Sequence, residues 1–163
     1  MTSNPHPSEA SLIADQLHRA FYGTAWHGPS VLELLKDVDA TTAAAKPIAS
    51  VHSMWELLLH IEVWDRAAMV RLGGDKCQPT GTDNFPEPPA RTAATAWKKA
   101  IKKARQTHDA LVRQVAVLSE ERLRTRCPGK RYDLYHLLHG VVQHELYHAG
   151  QIAILKKTFG NLA

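Results

Sequence analysis

Only two cysteines, Cys77 and Cys127, occur in the 163 residues, and they form no CxxC pair or other ligand spacing. They read as reduced thiols, which excludes a disulfide scaffold. No apolar run approaches the roughly 18 residues that a membrane-spanning helix needs. The opening MTSNPHPSEA has neither the basic start nor the apolar stretch of a secretory signal. A cytoplasmic protein without a membrane partner is therefore expected. Sustained period-two alternation and Asn-Gly hairpin signals are also missing, while Ala, Leu, Glu, Lys and Arg dominate, so the chain is expected to be all-helical. Charge of one sign is scarce too: 20 Lys and Arg against 16 Asp and Glu leave +4, with the surplus in two clusters, Lys98 to Arg105 and Arg122 to Arg131. At helical spacing such clusters are solvated faces, and with no recognition motif or interleaved aromatics nucleic acid is not an expected partner.

Histidine is what the chain has in abundance: ten in all, four of them between His136 and His148. At roughly 150 residues per domain the length predicts one domain over residues 1–163, with residues 1–7 flexible. A first helix is expected from Ser8 to Tyr22 and a short one from Ser30 to Asp37. Ser53-Met54-Trp55-Glu56 is a capping-box pattern that opens a second long helix, stopped by Gly73-Gly74. Residues 73–89 hold four prolines and three glycines and little that is apolar beyond Cys77 and Phe85, which marks a long loop, either a lid or mobile. Pro88-Pro89 suits the start of a third helix through Leu118, and Asp133 an N-cap for a last helix reaching Phe159. Three long helices and an interrupted first one predict a four-helix bundle.

His144-Glu145-Leu146-Tyr147-His148 matches HExxH, in which two imidazoles one helical turn apart grip a divalent metal. At face value that is a zinc protease with Glu145 as general base. The remaining AGQIAILKKTFGNLA contains no Asp, Glu or His, so the third ligand of the common zinc proteases cannot come from downstream. Another helix must supply it, and His60 is the best candidate. At about 100° per residue it shares a face with Leu57, Val63, Trp64 and Ala67, while Leu137, Val141, His144, His148, Gln151 and Leu155 form one inward stripe of the last helix. His136 and His139 fall on the other side, and His6, His18 and His108 carry no signal. Imidazoles buried among apolar side chains must be hydrogen-bonded or metal-bound, and three of them suit a site with one or more open positions. Their unperturbed pKa near 6.5 predicts loss of metal below about pH 6. Several neighbours are candidates for supporting roles. Gln151 could orient a ligand or substrate or simply bond to a neighbouring helix, Glu56 could accept from an imidazole or serve only its capping box, and Glu145 suits a structural or imidazole-orienting role better than that of a base. Trp26, His27 and Trp64 line either the pocket mouth or the core.

Three blocks of the chain resemble the DinB-like or YfiT-like metalloproteins. They are Ala25-Trp26-His27-Gly28-Pro29-Ser30, the run from Ser53 to Ile61 that contains His60, and the run from His139 to Ile152 that contains His144 and His148. The resemblance covers nearly the whole chain. It implies an up-down-down-up four-helix bundle, often a homodimer, with a divalent metal held by His60, His144 and His148. Function varies more than fold among such proteins: some resemble S-transferases or isomerases that use a low-molecular-weight thiol, and many have no assigned reaction. An open metal position fits the use of a thiol, because a coordinated thiol is deprotonated outright. The expected function is thus activation of a thiol, or of water in a hydrolase, against a small-molecule substrate, with zinc or nickel as the expected metal. Neither Cys77 nor Cys127 is assigned a catalytic role. The alternative is a non-catalytic binding protein whose metal is structural.

Overall fold

The computed structural model describes residues 6–90 and 93–160. Most of the stretch expected to be flexible, residues 1–5, lies outside the described residues. Among the described residues there are eight helices: α1 (Glu9–Tyr22), α2 (Val31–Leu35), α3 (Ala40–Ala44), α4 (Met54–Leu72), α5 (Gly81–Asn84), α6 (Ala94–Ala116), α7 (Glu120–Leu123) and α8 (Leu134–Lys157). None is long and apolar enough to cross a membrane. The four long helices pack as a bundle in which α1 and α4 each lie against both α6 and α8.

Local chemistry sets most of the helix starts. Ser8, Asp39, Ser119 and Asp133 each accept a backbone N–H from the first turn of the helix that follows. Both short-range capping boxes close, Ser30 with Glu33 and Ser53 with Glu56. Gly23, at φ 144°, ends α1, and a Cβ there would meet the Glu33 carboxylate at 3.1 Å, so the turn into α2 requires glycine. The third long helix begins later than expected, at Ala94 instead of Pro88. Successive prolines fix φ and disfavour the helical region for the residue before each of them, here Glu87 and Pro88, and the helix opens at Ala94 after the extended N-cap Ala93. The Ala/Thr stretch before Pro47 carries α3, which gives Ala40 and Ala43 to the core.

The core falls into two apolar clusters separated by a polar layer. One is built around Phe21, Trp55, Leu58, Ile61, Trp97, Ala104 and Ile152, the other around Ile13, Leu17, Leu72, Leu111, Leu134 and Leu138. Along α4 and α6 the first cluster precedes the second, and along α1 and α8 the order is reversed. Between them lie Asp65 of α4, His108 of α6 and Glu145 of α8, all fully buried. His108 Nδ1 donates to Asp65 Oδ2 at 3.0 Å and lies 3.1 Å from Glu145 Oε1, while Phe21 stacks on the ring at 4.2 Å. Burial alone would lower the His108 pKa, but the Glu145 and Asp65 carboxylates outweigh it and raise it, so the ring carries a proton. Burial and the Asp65 charge raise the Glu145 pKa. His108, which carries no signal in the linear sequence, is therefore the centre of the polar core.

Removing one partner of a buried ion pair strands the other charge and costs about 3–5 kcal/mol. Asp65→Ala should lower unfolding stability by about that amount in urea titration, whereas the exposed Glu121→Ala should stay within about 0.5 kcal/mol of wild type. Because folding raises the His108 pKa, its contribution is complete below the unfolded value near 6.5 and is lost as pH rises through the folded value. The difference between wild type and Asp65→Ala should narrow accordingly toward alkaline pH.

Candidate metal centre

Where α4 meets α8, His60 faces His144 and His148, which stand one turn apart. His60 Nε2 lies 2.9 Å from His144 Nε2, and His144 Nε2 lies 3.0 Å from His148 Nε2. The three ligand atoms all lie within 4.8 Å of one another. Two of the rings have a fixed tautomer. His60 Nδ1–H donates to the Asn84 carbonyl at 2.6 Å, and His148 Nδ1–H donates to Gln151 Oε1 at 2.6 Å. In a neutral imidazole the other nitrogen is then a bare lone pair, and both bare Nε2 atoms point at the His144 ring. Lone pairs brought this close repel unless a cation or proton lies between them. The donor set therefore fits a divalent ion bound by three imidazoles, with partners that orient His60 and His148.

Burial keeps these rings neutral. It holds His60 at about 4 despite the Asn84 carbonyl, and together with the other two histidines it holds His144 at about 3; His148 is lowered as well, again chiefly by burial. The folded site therefore resists protonation below the ordinary imidazole value.

The long loop supplies part of the site. Phe85 lies between His52 and His60, its ring stacked on each with centroids 3.8 Å apart, and Trp64 Nε1 donates to Asn84 Oδ1 at 2.8 Å. The α5 end of the segment read as a lid or a mobile loop is therefore fastened to the His60 face. Beside the histidines opens a cavity of about 400 Å³, walled by Trp64, Leu137, Val141 and Tyr147, with Arg71 among its lining residues.

The other candidates separate clearly. Trp64 lines the cavity and Gln151 bonds His148, whereas Glu56 does not touch His60: its carboxylate accepts from Ser53 N at 2.7 Å and Lys46 Nζ at 2.8 Å, so only its capping reading applies. Trp26 and His27 do not reach this cavity. They sit in an exposed turn after α1 and border a separate hollow with Gln16 and Arg19, because α1 ends at Gly23 and the chain then swings outward. Glu145 occupies the deeper face of α8, against His108, and not the histidine face, so this carboxylate is not placed to serve as a base beside the three imidazoles. His136 is exposed and borders the far part of the cavity.

Asn84, Arg71 and Asp65 are absent from the sequence reading, Phe85 enters it only as an apolar residue of the long loop, and His108 only as a histidine without signal. For two of them the signal was present. Continuing the His60 face by eleven residues reaches Arg71, and the same projection along α6 puts His108 on the stripe of Trp97, Ala104, Leu111 and Val115. Asn84 acts through its backbone carbonyl as well as its side chain, and no residue pattern encodes that contact.

The family model described as DinB superfamily matches residues 24–152 of this chain. No curated protein and no solved structure matches it.

Folding lowers the pKa of the three histidines, so their neutral forms support the fold fully above the unfolded value near 6.5, and that support is lost as pH falls towards the folded values. Chelator-treated protein should therefore lose stability in urea titrations between pH 6.5 and pH 4. The loss should be smaller in His144→Leu, which cannot be protonated; an equal loss in both proteins would contradict the assignment.

Proposed function

We propose, from the premise that this chain belongs to the DinB superfamily, that it is a metal-dependent enzyme of the thiol-transferase type, with a divalent ion, zinc or nickel, held by His60, His144 and His148. One observation carries this reading: three imidazoles, two with their bare Nε2 fixed by Asn84 and Gln151, converge beside a cavity large enough for a small molecule. An ion held there would stabilise a thiolate or hydroxide at neutral pH. The protein's own residues supply the rest. The Asn84 carbonyl and the Phe85 stack hold the His60 ring, Gln151 holds the His148 ring, and Trp64, Leu137 and Val141 keep the approach apolar.

The thiol arm is favoured over the hydrolase arm because, among the described residues, no Asp or Glu lines the cavity. A water nucleophile is commonly helped by a carboxylate base, and the one carboxylate of the HExxH match, Glu145, is engaged with His108. A low-molecular-weight thiol loses its proton more readily and needs less help. The electrophilic second substrate would lie along the apolar wall.

Metal content after purification should fall to background in His60→Ala, His144→Ala and His148→Ala and stay at wild-type level in His136→Ala. In the cobalt-substituted protein, a small thiol should change the visible spectrum, and the change should survive replacement of both Cys77 and Cys127 by serine. Peptide hydrolysis should be absent. A cobalt spectrum indifferent to every thiol and anion tried would turn the assignment towards a structural metal, and robust peptidase activity would overturn it.

A further inference from the structure

Arg71 leaves α4 on the same face as His60, about three turns further along. Its side chain is 1% exposed. Nε and Nη2 donate to the Cys77 carbonyl at 2.9 and 2.6 Å, and Nη2 also reaches Gln78 Oε1 at 3.3 Å. Among the described residues no carboxylate forms an ion pair with it, and Nη1 has no hydrogen-bond partner. The same residue lines the cavity beside the three histidines, where it is the one permanent charge among the described residues. Trp64 stands between the two: its ring centroid is 5.4 Å from the guanidinium carbon and 5.8 Å from the His144 ring.

A buried guanidinium that meets only carbonyl oxygens keeps its full charge in a poorly solvating environment, which favours any anion that can reach it. A carboxylate can accept from the free Nη1 in a charge-assisted hydrogen bond. Leu137, Val141 and Trp64 give the cavity an apolar wall, the Trp64 Nε1–H being already given to Asn84, while Tyr132, His136 and Tyr147 also line it. We propose that the cavity selects a small molecule with an apolar body and a terminal carboxylate, the carboxylate held by Arg71 Nη1 and the other end lying at the three histidines. The second half of this statement rests on the metal-site reading above, whereas the Arg71 half stands by itself. Arg71 is on this account a specificity residue. A role limited to fastening the loop at Cys77 would not distinguish charged from neutral ligands.

Two matched comparisons test it. Cobalt-loaded protein is titrated with ω-mercaptoalkanoates of increasing length and with the corresponding mercaptoalcohols, and metal-free protein is titrated calorimetrically with hexanoate and hexanamide. In wild type the carboxylate member of each pair should bind at least about tenfold more tightly, in the cobalt series at the chain length that spans the cavity. Arg71→Gln should reduce that preference to below about threefold while leaving mercaptoalcohol affinity within about threefold of wild type, and Arg71→Lys should keep part of it. Equal affinity for both members of each pair in wild type overturns the proposal without any variant, so misfolding of Arg71→Gln cannot shield it. If no thiol perturbs cobalt but hexanoate still outbinds hexanamide through Arg71, the thiol reading fails and the carboxylate subsite stands.

Discussion

The register between α4 and α8 is what everything at the histidine cluster depends on, and one buried charge holds it. His108 of α6 lies between Asp65 of α4 and Glu145 of α8, with no solvent to compensate any of the three. Asp65 is little more than one turn from His60, and Glu145 is the direct neighbour of His144. An axial slip of α4 would pull the Asp65 carboxylate away from His108 and leave a charge buried without its hydrogen-bonded partner, an error costing several kcal/mol, and a slip of α8 would part the buried Glu145 from the same ring. Apolar clusters above and below the layer tolerate small shifts much better, because packing of similar volumes is forgiving. The ion pair thus fixes the level at which His60 meets His144 and His148, although it contributes no atom to their site.

Glu145 shows how the same five residues can match a motif and carry a different meaning. In an α-helix consecutive side chains diverge by about 100°, so Glu145 cannot share a face with His144 and His148. Whether it nonetheless reaches a bound metal depends on what packs against its own face. Here that face meets α4 and α6, the carboxylate is drawn to His108, and the histidines are left beside a cavity to which the described residues contribute no acid. The sequence match predicts two imidazoles in reach of one ion. It does not predict the neighbour that takes up the glutamate.

The segment from Gly73 to Pro89 links the two ends of the cavity. Near its start Arg71 donates to the Cys77 carbonyl, and near its end Asn84 and Phe85 grip His60 and Trp64. A stretch rich in proline and glycine has little helix or strand propensity, so its order comes from these contacts and not from local preference. The loop is therefore fastened separately at the guanidinium end and at the imidazole end of the cavity.

Length, composition and periodicity determined the helical class, most of the helix boundaries and the three histidines, because caps, prolines and the 100° repeat are local properties of the chain. Ser53-Met54-Trp55-Glu56 announces the start of α4, and the shared faces of His60 and of His144 with His148 follow from spacing alone. Only the tertiary structure decided which buried polar groups meet. His108 looked featureless until Asp65 and Glu145 closed on it; Trp26 and His27 were open to either pocket or core until the turn carried them outward; Arg71, not singled out in the sequence, lines a cavity in the fold. Pairings such as these join residues tens of positions apart, and their energies depend on burial and charge at the meeting point, which no window of the sequence contains.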